Sequence, residues 1–228
     1  MSQKINKIFS RISNRYDSMN HILSFGIDKS WRDEAVRISC SFLKDNKNPR
    51  ILDVATGTGD LAILLSKKIK NAKITAIDFN SDMVKIGEEK AIKNQCKNIT
   101  FLVSDALKTN FKPNSFDLCI SGFALRNLDD LDIFLKEQKR ILTDNGHFVY
   151  LDMALPDEKL NRIFFKIYSH FMLFVGFFVD YTAYYWLTLS IKKFDKKNLI
   201  ELLTKNNFKN IKYKELSTKI AYIVNGNK

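Results

Sequence analysis

From Arg50 onward, short apolar runs alternate along the chain with longer amphipathic stretches. The short runs have the length of buried strands, whereas apolar residues in the longer stretches recur every three to four positions, as on one face of a helix. The pattern predicts strands near residues 50–55, 73–78, 99–103, 116–122 and 146–152. It predicts helices near residues 59–69, 81–94 and 129–141. This alternation is typical of an α/β fold with a parallel, doubly wound sheet.

The last part of the chain adds strands of a different kind. A helix is predicted near residues 195–206, followed by strands near 209–215 and 219–225. The short connection between these two strands favours an antiparallel hairpin at the sheet edge. We therefore expect a mostly parallel, seven-stranded, Rossmann-like sheet with an antiparallel C-terminal hairpin.

Residues 1–48 carry helical spacing, first at Ile5, Ile8 and Ile12 and later at Trp31 and Ala35, which predicts an N-terminal helical extension. No repeats or low-complexity linkers interrupt the sequence, so we expect one domain. Its expected parts are a helical cap (1–48), a strand–helix core (49–155), an aromatic helical insertion (156–194) and a C-terminal helix and hairpin (195–228).

The segment 163–191 is unusually rich in aromatic residues, but Lys166, His170 and Asp180 interrupt it. Its longest apolar run, residues 171–179, is far shorter than the roughly 20 residues that span a bilayer. The segment is therefore either an aromatic core helix or the wall of a site for an apolar substrate, and helical spacing does not distinguish the two.

Composition and charge narrow the class of protein. The chain has 228 residues, 45% of them hydrophobic, which is typical of a globular domain. Cys40, Cys96 and Cys119 lie far apart, so we expect neither a disulfide framework nor a metal site, and the cytoplasm is the default compartment. The N-terminal residues lack the apolar core of a secretion signal. The net charge of +12 suits nucleic acid, an anionic membrane surface or simply a solvated basic surface.

The stretch ILDVATGTGD (51–60) reads as a strand, a glycine-rich turn and the start of a helix. Gly57 and Gly59 permit the close backbone approach that a nucleotide-like ligand needs. The third glycine of the dinucleotide fingerprint would fall at Ala62, which argues against a nicotinamide cofactor.

Acidic residues follow three successive predicted strands. Asp53 ends the first strand, where it could meet an ammonium group, and Asp78 ends the second, where it could bind ribose hydroxyls. Asp105 ends the third, where its side chain or the Ala106 backbone could contact an adenine edge. Each alone could be a helix-capping residue, but amine, ribose and adenine together describe S-adenosylmethionine.

These motifs resemble the class I S-adenosylmethionine-dependent methyltransferases. More narrowly, YDSMNHILSFGIDKSW (16–31), FALRNLDDL (123–131) and YYWLTLSI (184–191) resemble the UbiE/MenG group, over nearly the whole chain. That group methylates a ring carbon of polyprenylated quinols in menaquinone and ubiquinone synthesis. This sequence departs from the group at Asp28, where the group has His, and at Gly122, where it has Ser.

The resemblance implies roles for individual residues. Arg126 would stabilise a phenolate, Asn127 would orient the ring hydroxyl or a water molecule, and Tyr16 would relay a proton. An alternative for Arg126 is a surface salt bridge with Asp129 or Asp130. The implied cofactor residues are Asp53, Gly57, Thr58, Gly59, Asp78, Asp105, Ala106 and Gly122. The implied substrate residues are Tyr16, Asn20, Phe171, Phe174 and Tyr184. A groove for the polyprenyl tail would be lined by Phe164, Phe165, Phe171, Phe174, Phe177 and Phe178.

We therefore expect a C-methyltransferase acting on demethylmenaquinol. The alternatives are methylation of 2-methoxy-6-polyprenyl-1,4-benzoquinol, an RNA methyltransferase, and a cofactor-fold module without activity. The reaction itself implies no metal. Expected partners are the polyprenylated quinol, a cytoplasmic membrane surface contacted peripherally, and a second copy of the chain or a quinone-synthesis complex, with no nucleic acid.

Overall fold

A computed structural model describes residues 3–13, 16–216 and 219–228. Within these ranges, the description does not include the side chains of Gln3, Lys4, Ile5, Ser18, Asn20, Ile22, Leu23 and Phe178. The strands are β1 (Arg50–Val54), β2 (Lys73–Asp78), β3 (Ile99–Val103), β4 (Phe116–Gly122), β5 (Leu142–Met153), β6 (Lys209–Glu215) and β7 (Ala221–Asn227). The helices are α1 (Gln3–Ile12), α2 (Tyr16–Leu23), α3 (Ile27–Leu43), α4 (Asp60–Lys68), α5 (Ser81–Lys93), α6 (Leu131–Ile141), α7 (Lys159–Val179), α8 (Tyr181–Lys193) and α9 (Lys196–Lys205).

The strands form one sheet in the order β3-β2-β1-β4-β5-β7-β6. β1 to β5 run parallel, and β7 runs antiparallel between β5 and β6. The chain moves outward from β1 to β3 and then returns to the other side of β1 as β4. The carboxyl ends of β1 and β4 therefore flank the switch point at which doubly wound sheets bind their ligands. The predicted fold class is confirmed.

The sheet carries one hydrophobic core on each face. α3, α4 and α5 pack on one face, against residues such as Ile51 and Ile120. α6 and α9 pack on the other face, where Phe134 and Tyr150 are fully enclosed. Side chains from the middle strands alternate between the two cores, as expected for strands covered by helices on both sides.

A third apolar cluster lies outside the sheet and joins α1, α2, α7 and α8 through residues such as Ile12, Met172 and Tyr184. α8 also contacts a short 3-10 helix, Leu125–Asn127, that follows β4. Helices from both ends of the chain thus meet beside the switch point. Within the described ranges, none of the helices combines the length and apolar character needed to cross a bilayer.

The aromatic segment forms two helices rather than one. Asp180 separates α7 from α8, and its carboxylate caps α8 by accepting a hydrogen bond of 3.0 Å from the Ala183 amide. The same carboxylate forms an ion pair with Arg11 of α1 at 2.5 Å and 2.9 Å. One acidic residue therefore both breaks the aromatic segment and ties it to the N-terminal helix.

The fifth strand begins earlier than predicted. Leu142 pairs with Phe116, and the pairing then shifts so that His147 lies opposite Leu118. The residues between Leu142 and His147 bulge out of the ladder, so the strand starts before its polar TDNG turn rather than after it.

Phe101 of β3 occupies a slot between two glycines. A Cβ atom on Gly87 of α5 would lie 2.6 Å from Phe101 Cε1, and one on Gly59 would lie 2.9 Å from Phe101 Cζ. Real Cβ atoms do not come so close to a ring carbon, so α5 and the start of α4 reach β3 only because both positions lack a side chain.

We predict that Gly87→Val lowers the free energy of unfolding by about 1–3 kcal/mol, because its side chain overlaps the Phe101 ring. Urea denaturation followed by circular dichroism measures the change. In a Phe101→Ala background the same substitution should cost less, since the ring is gone. An equal cost in both backgrounds would contradict the packing explanation.

Candidate active site

A sharp turn joins β1 to α4 at the switch point. Gly57 and Gly59 have φ angles of +58° and +81°, in the left-handed region that glycine enters without a steric penalty. Ala55 has a φ of +52° and Phe123, just after β4, has a φ of +61°. Such angles cost energy for residues with a Cβ, so the backbone is strained on both sides of the switch point.

Asp53 lies fully buried under this turn. Its Oδ2 atom accepts hydrogen bonds from Thr56 Oγ1 at 2.6 Å and from the Ala62 amide at 3.0 Å. Its Oδ1 atom is buried and has no hydrogen-bond partner in the described part of the chain. Burial, together with the nearby charges of Asp78 and Asp60, raises the pKa of Asp53 to about 7. A cationic group at Oδ1 would offset this burial.

Asp78 holds the other side of the turn. Its carboxylate accepts hydrogen bonds from the Gly57 amide at 2.8 Å and from the Asn80 amide at 2.9 Å. Burial raises its pKa as well. Each carboxylate oxygen can accept more than one hydrogen bond, so Asp78 keeps capacity for a ligand hydroxyl.

Two small cavities flank Gly57, with volumes of about 50 Å³ and 30 Å³. Asp78 lines the first, Asp53 lines the second, and Tyr16, Gly57 and Gly122 line both. Thr58 also lines the second cavity. The structure thus brings together six predicted cofactor and cap residues around one turn. These residues fit S-adenosylmethionine, because the unpaired, buried Oδ1 atom of Asp53 stands where the ammonium group of the cofactor is expected.

Asp105 and Ala106 are placed differently. Asp105 Oδ1 accepts a hydrogen bond of 2.9 Å from the Leu107 amide, and Ala106 is buried in the core shared with α6. Neither residue is among those that line the two small cavities. Their predicted contact with adenine stays a prediction.

Arg126 forms a buried ion pair with Asp152 at the end of β5, with side-chain exposures of 6% and 0%. Its guanidinium also donates to the Phe123 carbonyl oxygen at 2.7 Å. Arg126 Nε is buried without a hydrogen-bond partner among the described residues. The observed partner is therefore Asp152, whereas Asp130 caps α6 by accepting from the Ile133 amide.

Asn127, beside Arg126, is held by its amide oxygen, which accepts a hydrogen bond of 3.0 Å from Trp186 Nε1 on α8. This contact links the 3-10 helix after β4 to α8, the second helix of the aromatic segment. Arg126 and Asn127 also line a narrow cavity together with Tyr16 and Tyr184.

A much larger cavity, of about 570 Å³, opens next to Arg126. Its wall is mostly apolar and comes from the cap, from the segment after β4 and from α7. It includes Tyr16, Trp31, Phe123, Met153, Phe164, Ile167, Phe171, Met172 and Leu187. A few polar groups, among them Ser24, Asp28, Arg32 and Arg126, lie on the same wall.

The predicted substrate residues do not all line the same cavity. Phe171 lines the large cavity, and Tyr184 lines the narrow one. Phe174 is 65% exposed. The Asn20 side chain lies outside the described residues. Of the predicted groove, Phe164 lines the large cavity, Phe165 is buried and Phe177 is exposed, while the Phe178 side chain is not described.

Sequence reasoning noted Asp152 only as a departure from the family pattern, and it did not identify Asp152 or Trp186 as the partners of Arg126 and Asn127. Asp152 interrupts the apolar end of a predicted strand, as Asp53 and Asp78 do, and that pattern could have identified it. Trp186 lies within YYWLTLSI (184–191), so the resemblance marked its segment but not its contact with Asn127.

We predict that the Asp53 carboxyl makes folding pH-dependent. Its pKa is about 7 in the folded protein against 3.8 for an ordinary carboxyl, so between these values the folded state holds a proton that the unfolded state has lost. The free energy of unfolding should therefore fall as the pH rises from about 4 to about 7. Asp53→Asn should reduce this fall by about 2–4 kcal/mol.

Urea denaturation at about pH 5 and about pH 7.5 measures the difference. Asp33→Asn, on the exposed side of α3, serves as the control because it removes one carboxyl from the surface. The same pH dependence in wild type, Asp53→Asn and Asp33→Asn would refute the assignment.

Comparison with known proteins identifies the family. The chain matches the ubiE/COQ5 methyltransferase family over residues 1–228. The demethylmenaquinone methyltransferase of Bacteroides fragilis is 32% identical over 232 residues, covering 100% of this chain and 93% of the relative. The ubiquinone/menaquinone biosynthesis C-methyltransferase UbiE of Rickettsia bellii is 35% identical over 228 residues, covering 96% and 90%.

Solved structures share the fold. A SAM-dependent methyltransferase from Aquifex aeolicus has a TM-score of 0.62 at 20% identity, covering 84% of this chain and 88% of its own. A possible histamine N-methyltransferase from Thermotoga maritima has a TM-score of 0.66 at 18% identity, covering 97% and 99%. The predicted methyltransferase activity and its cofactor, S-adenosylmethionine, agree with the family match. The chain belongs to the ubiE/COQ5 methyltransferase family.

Proposed function

We propose that this methyltransferase methylates a ring carbon of a polyprenylated quinol, with demethylmenaquinol as substrate and menaquinol as product. The observation that carries the proposal is the 570 Å³ apolar cavity with a buried arginine in its wall. A polyprenylated quinol needs apolar volume for its tail and a charged group at its ring oxygen. The whole chain, residues 1–228, would act as one domain in this reaction.

When bound, S-adenosylmethionine supplies a methyl group that is electrophilic because its sulfur carries a positive charge. We infer that Asp53 would hold its ammonium group and Asp78 its ribose hydroxyls, with Gly57, Thr58 and Gly59 providing the backbone of the turn. The unpaired Oδ1 atom of Asp53 supports this assignment.

Arg126 would stabilise the ring oxygen. A ring carbon becomes nucleophilic when the neighbouring hydroxyl loses its proton, and a charge-assisted hydrogen bond then stabilises the phenolate. The Nε–H group of Arg126 is unpaired in the described structure and is available for this bond. Asp152 would neutralise the charge of Arg126 while the apolar part of the substrate enters the cavity.

Tyr16 would relay the proton of the ring hydroxyl, and Asn127 would orient that hydroxyl or a water molecule. Tyr16 lines the large cavity and both small cavities, so it lies between the cofactor and substrate sides. The Asn127 side chain accepts from Trp186 and donates to the Phe123 carbonyl oxygen at 3.4 Å. Its amide nitrogen has a second N–H and its amide oxygen a second lone pair, through which it would orient the ring hydroxyl or a water molecule.

We predict that the protein transfers labelled methyl groups from S-adenosylmethionine to demethylmenaquinol. A methoxy-polyprenyl-benzoquinol and total RNA are assayed beside it, because the Rickettsia relative is named for both quinones and the charge of +12 suits RNA. Transfer to neither quinol, or transfer to RNA alone, would refute the proposed function.

The role of Arg126 is tested with a variant that removes the arginine without leaving a buried charge. Arg126→Ala alone would strand Asp152, which costs about 3–5 kcal/mol of stability. Arg126→Met combined with Asp152→Leu removes both charges. The double variant should fold, bind the cofactor as wild type does, and turn over about 100-fold more slowly. Unchanged turnover would exclude Arg126 from the reaction.

We also propose that α7 contacts the membrane that holds the quinol. Its exposed apolar side chains recur at helical spacing, namely Leu160, Ile163, Phe164, Ile167, Phe174 and Phe177. Phe164 and Ile167 also line the large cavity. Arg162 and Lys166 are exposed on the same helix. An apolar face with basic residues beside it is the arrangement that binds the surface of an anionic bilayer.

We predict that the protein sediments with phosphatidylglycerol-containing vesicles at low salt and that Phe177→Glu weakens this binding. Ile92→Glu on α5 is the control, because Ile92 and Phe177 are both 77% exposed and the charge change is the same. No sedimentation of the wild type, or equal effects of both substitutions, would refute the membrane contact. Self-association without vesicles would assign the face to a second copy.

A further inference from the structure

The wall of the large cavity carries a buried carboxylate as well as the buried guanidinium of Arg126. Asp28, in the first turn of α3, lines the 570 Å³ cavity and is only 3% exposed. Most of the wall around it is apolar, so the carboxylate has lost much of the hydration that it would have at the surface. An ionised carboxylate donates no hydrogen bonds, so Asp28 offers a ligand in this cavity only hydrogen-bond acceptors.

Three neighbouring side chains hold Asp28 in its charged form. Ser24 Oγ donates a hydrogen bond of 2.6 Å to Oδ1, His21 Nδ1 lies 2.9 Å from Oδ2, and Arg32 forms a buried ion pair with the same carboxylate. Although burial raises the pKa of Asp28, these hydrogen bonds and the charge of Arg32 hold it below its usual value. A carboxylate has about four acceptor positions, and these three contacts leave one for a ligand.

The charge of Arg32 is shared between two carboxylates. Its guanidinium pairs with Asp28 and also, at 3.3 Å, with Asp60. Asp60 directly follows the cofactor turn, which is the sharp turn between β1 and α4. Lys90 of α5 adds a second cation, which lies 2.6 Å from Asp60 and 2.6 Å from Asp17 of α2. Since Arg32 is divided in this way, Asp28 keeps part of its negative charge toward the cavity.

Phe123 connects the two charged groups of the wall. The Arg32 guanidinium lies 5.1 Å from the centre of the Phe123 ring, and the Phe123 carbonyl oxygen accepts a hydrogen bond of 2.7 Å from Arg126. Phe123, Arg126 and Asp28 all line the large cavity. A hydrogen-bond donor, Arg126, therefore contacts the backbone of Phe123, and a hydrogen-bond acceptor, Asp28, is bonded to the arginine at its ring.

We propose that Asp28 determines which ring compounds the cavity accepts, by taking a hydrogen bond from the second ring hydroxyl of the quinol. The inference rests on the proposed function, in which Arg126 meets the oxygen next to the methylated carbon. The second hydroxyl lies at the opposite end of the ring and keeps its proton when the first is ionised. A donor at one end and an acceptor at the other match this form of the quinol. An oxidised quinone or an ether would instead turn an oxygen without a proton toward the Asp28 carboxylate, which repels it.

The test compares two methyl acceptors in wild type and in Asp28→Asn. One is demethylmenaquinol with a geranyl tail, and the other is its monomethyl ether at the second hydroxyl. Both keep the hydroxyl next to the reacting carbon. In wild type, kcat/KM for the quinol should exceed that for the ether by about 100-fold or more. Asp28→Asn should reduce this preference at least tenfold, because an amide can donate to the ether oxygen. The steric effect of the added methyl group is common to both proteins and cancels.

A binding measurement gives a readout that loss of stability would not produce. Isothermal titration with the oxidised geranyl demethylmenaquinone should show about tenfold tighter binding to Asp28→Asn than to wild type, because the amide can donate to the quinone oxygen. Asp60 still pairs with Arg32 in this variant, so the guanidinium keeps a counter-charge. Asp33→Asn makes the same chemical change on the exposed side of α3 and should leave the preference and the quinone affinity unchanged.

The outcomes separate this inference from the proposed function. If wild type methylates neither compound, the proposed function is refuted and the role of Asp28 with it. If wild type methylates the quinol but Asp28→Asn keeps the same preference and the same quinone affinity, the role of Asp28 alone is overturned. A lowered melting temperature with both readouts unchanged would likewise overturn it, because Asp28 would then serve only to stabilise α3.

Discussion

The buried carboxylate of Asp53 is the constraint on which the cofactor edge of the molecule depends. It lies at the end of the central strand with one oxygen satisfied by the turn and the other unpaired. The cost of burying it is visible in its raised pKa. A fold keeps such a group when a ligand of opposite charge offsets the cost, which is how binding sites come to contain perturbed carboxyl groups. The strained backbone at Ala55 belongs to the same arrangement.

On the substrate side the buried charge has the opposite sign, because a positive charge lies inside a mostly apolar wall. Arg126 is placed there with Asp152 beside it, so that the buried pair is neutral. The left-handed backbone of Phe123 aims its carbonyl oxygen at the same guanidinium. In the proposed function the two sides are complementary: Asp53 would meet the positive charge of the cofactor, and Arg126 would meet the negative charge of the acceptor.

The helices that cover these two edges come from distant parts of the chain. Arg11 and Asp180 are 169 residues apart, and Lys90 and Asp17 are 73 residues apart, yet both pairs tie the cap to the body. The contacts of the cap therefore reach the cofactor turn on one side and α7 and α8 on the other. Asp180 contributes by dividing an apolar segment that would otherwise continue as one helix.

Local sequence determined the strands β1 to β4, which agree with their predicted ranges to within one residue, because each is a short apolar run bounded by turn residues. It also placed Asp53 and Asp78 together, since the carboxyl ends of parallel strands meet at one edge. It did not identify Asp152 as the partner of Arg126, the division of the aromatic segment between cavity wall and surface, or the meeting of Lys90 with Asp17. Those outcomes were decided by tertiary structure, because strand order and cap placement result from packing between surfaces far apart in the sequence, and no local periodicity records which surfaces meet.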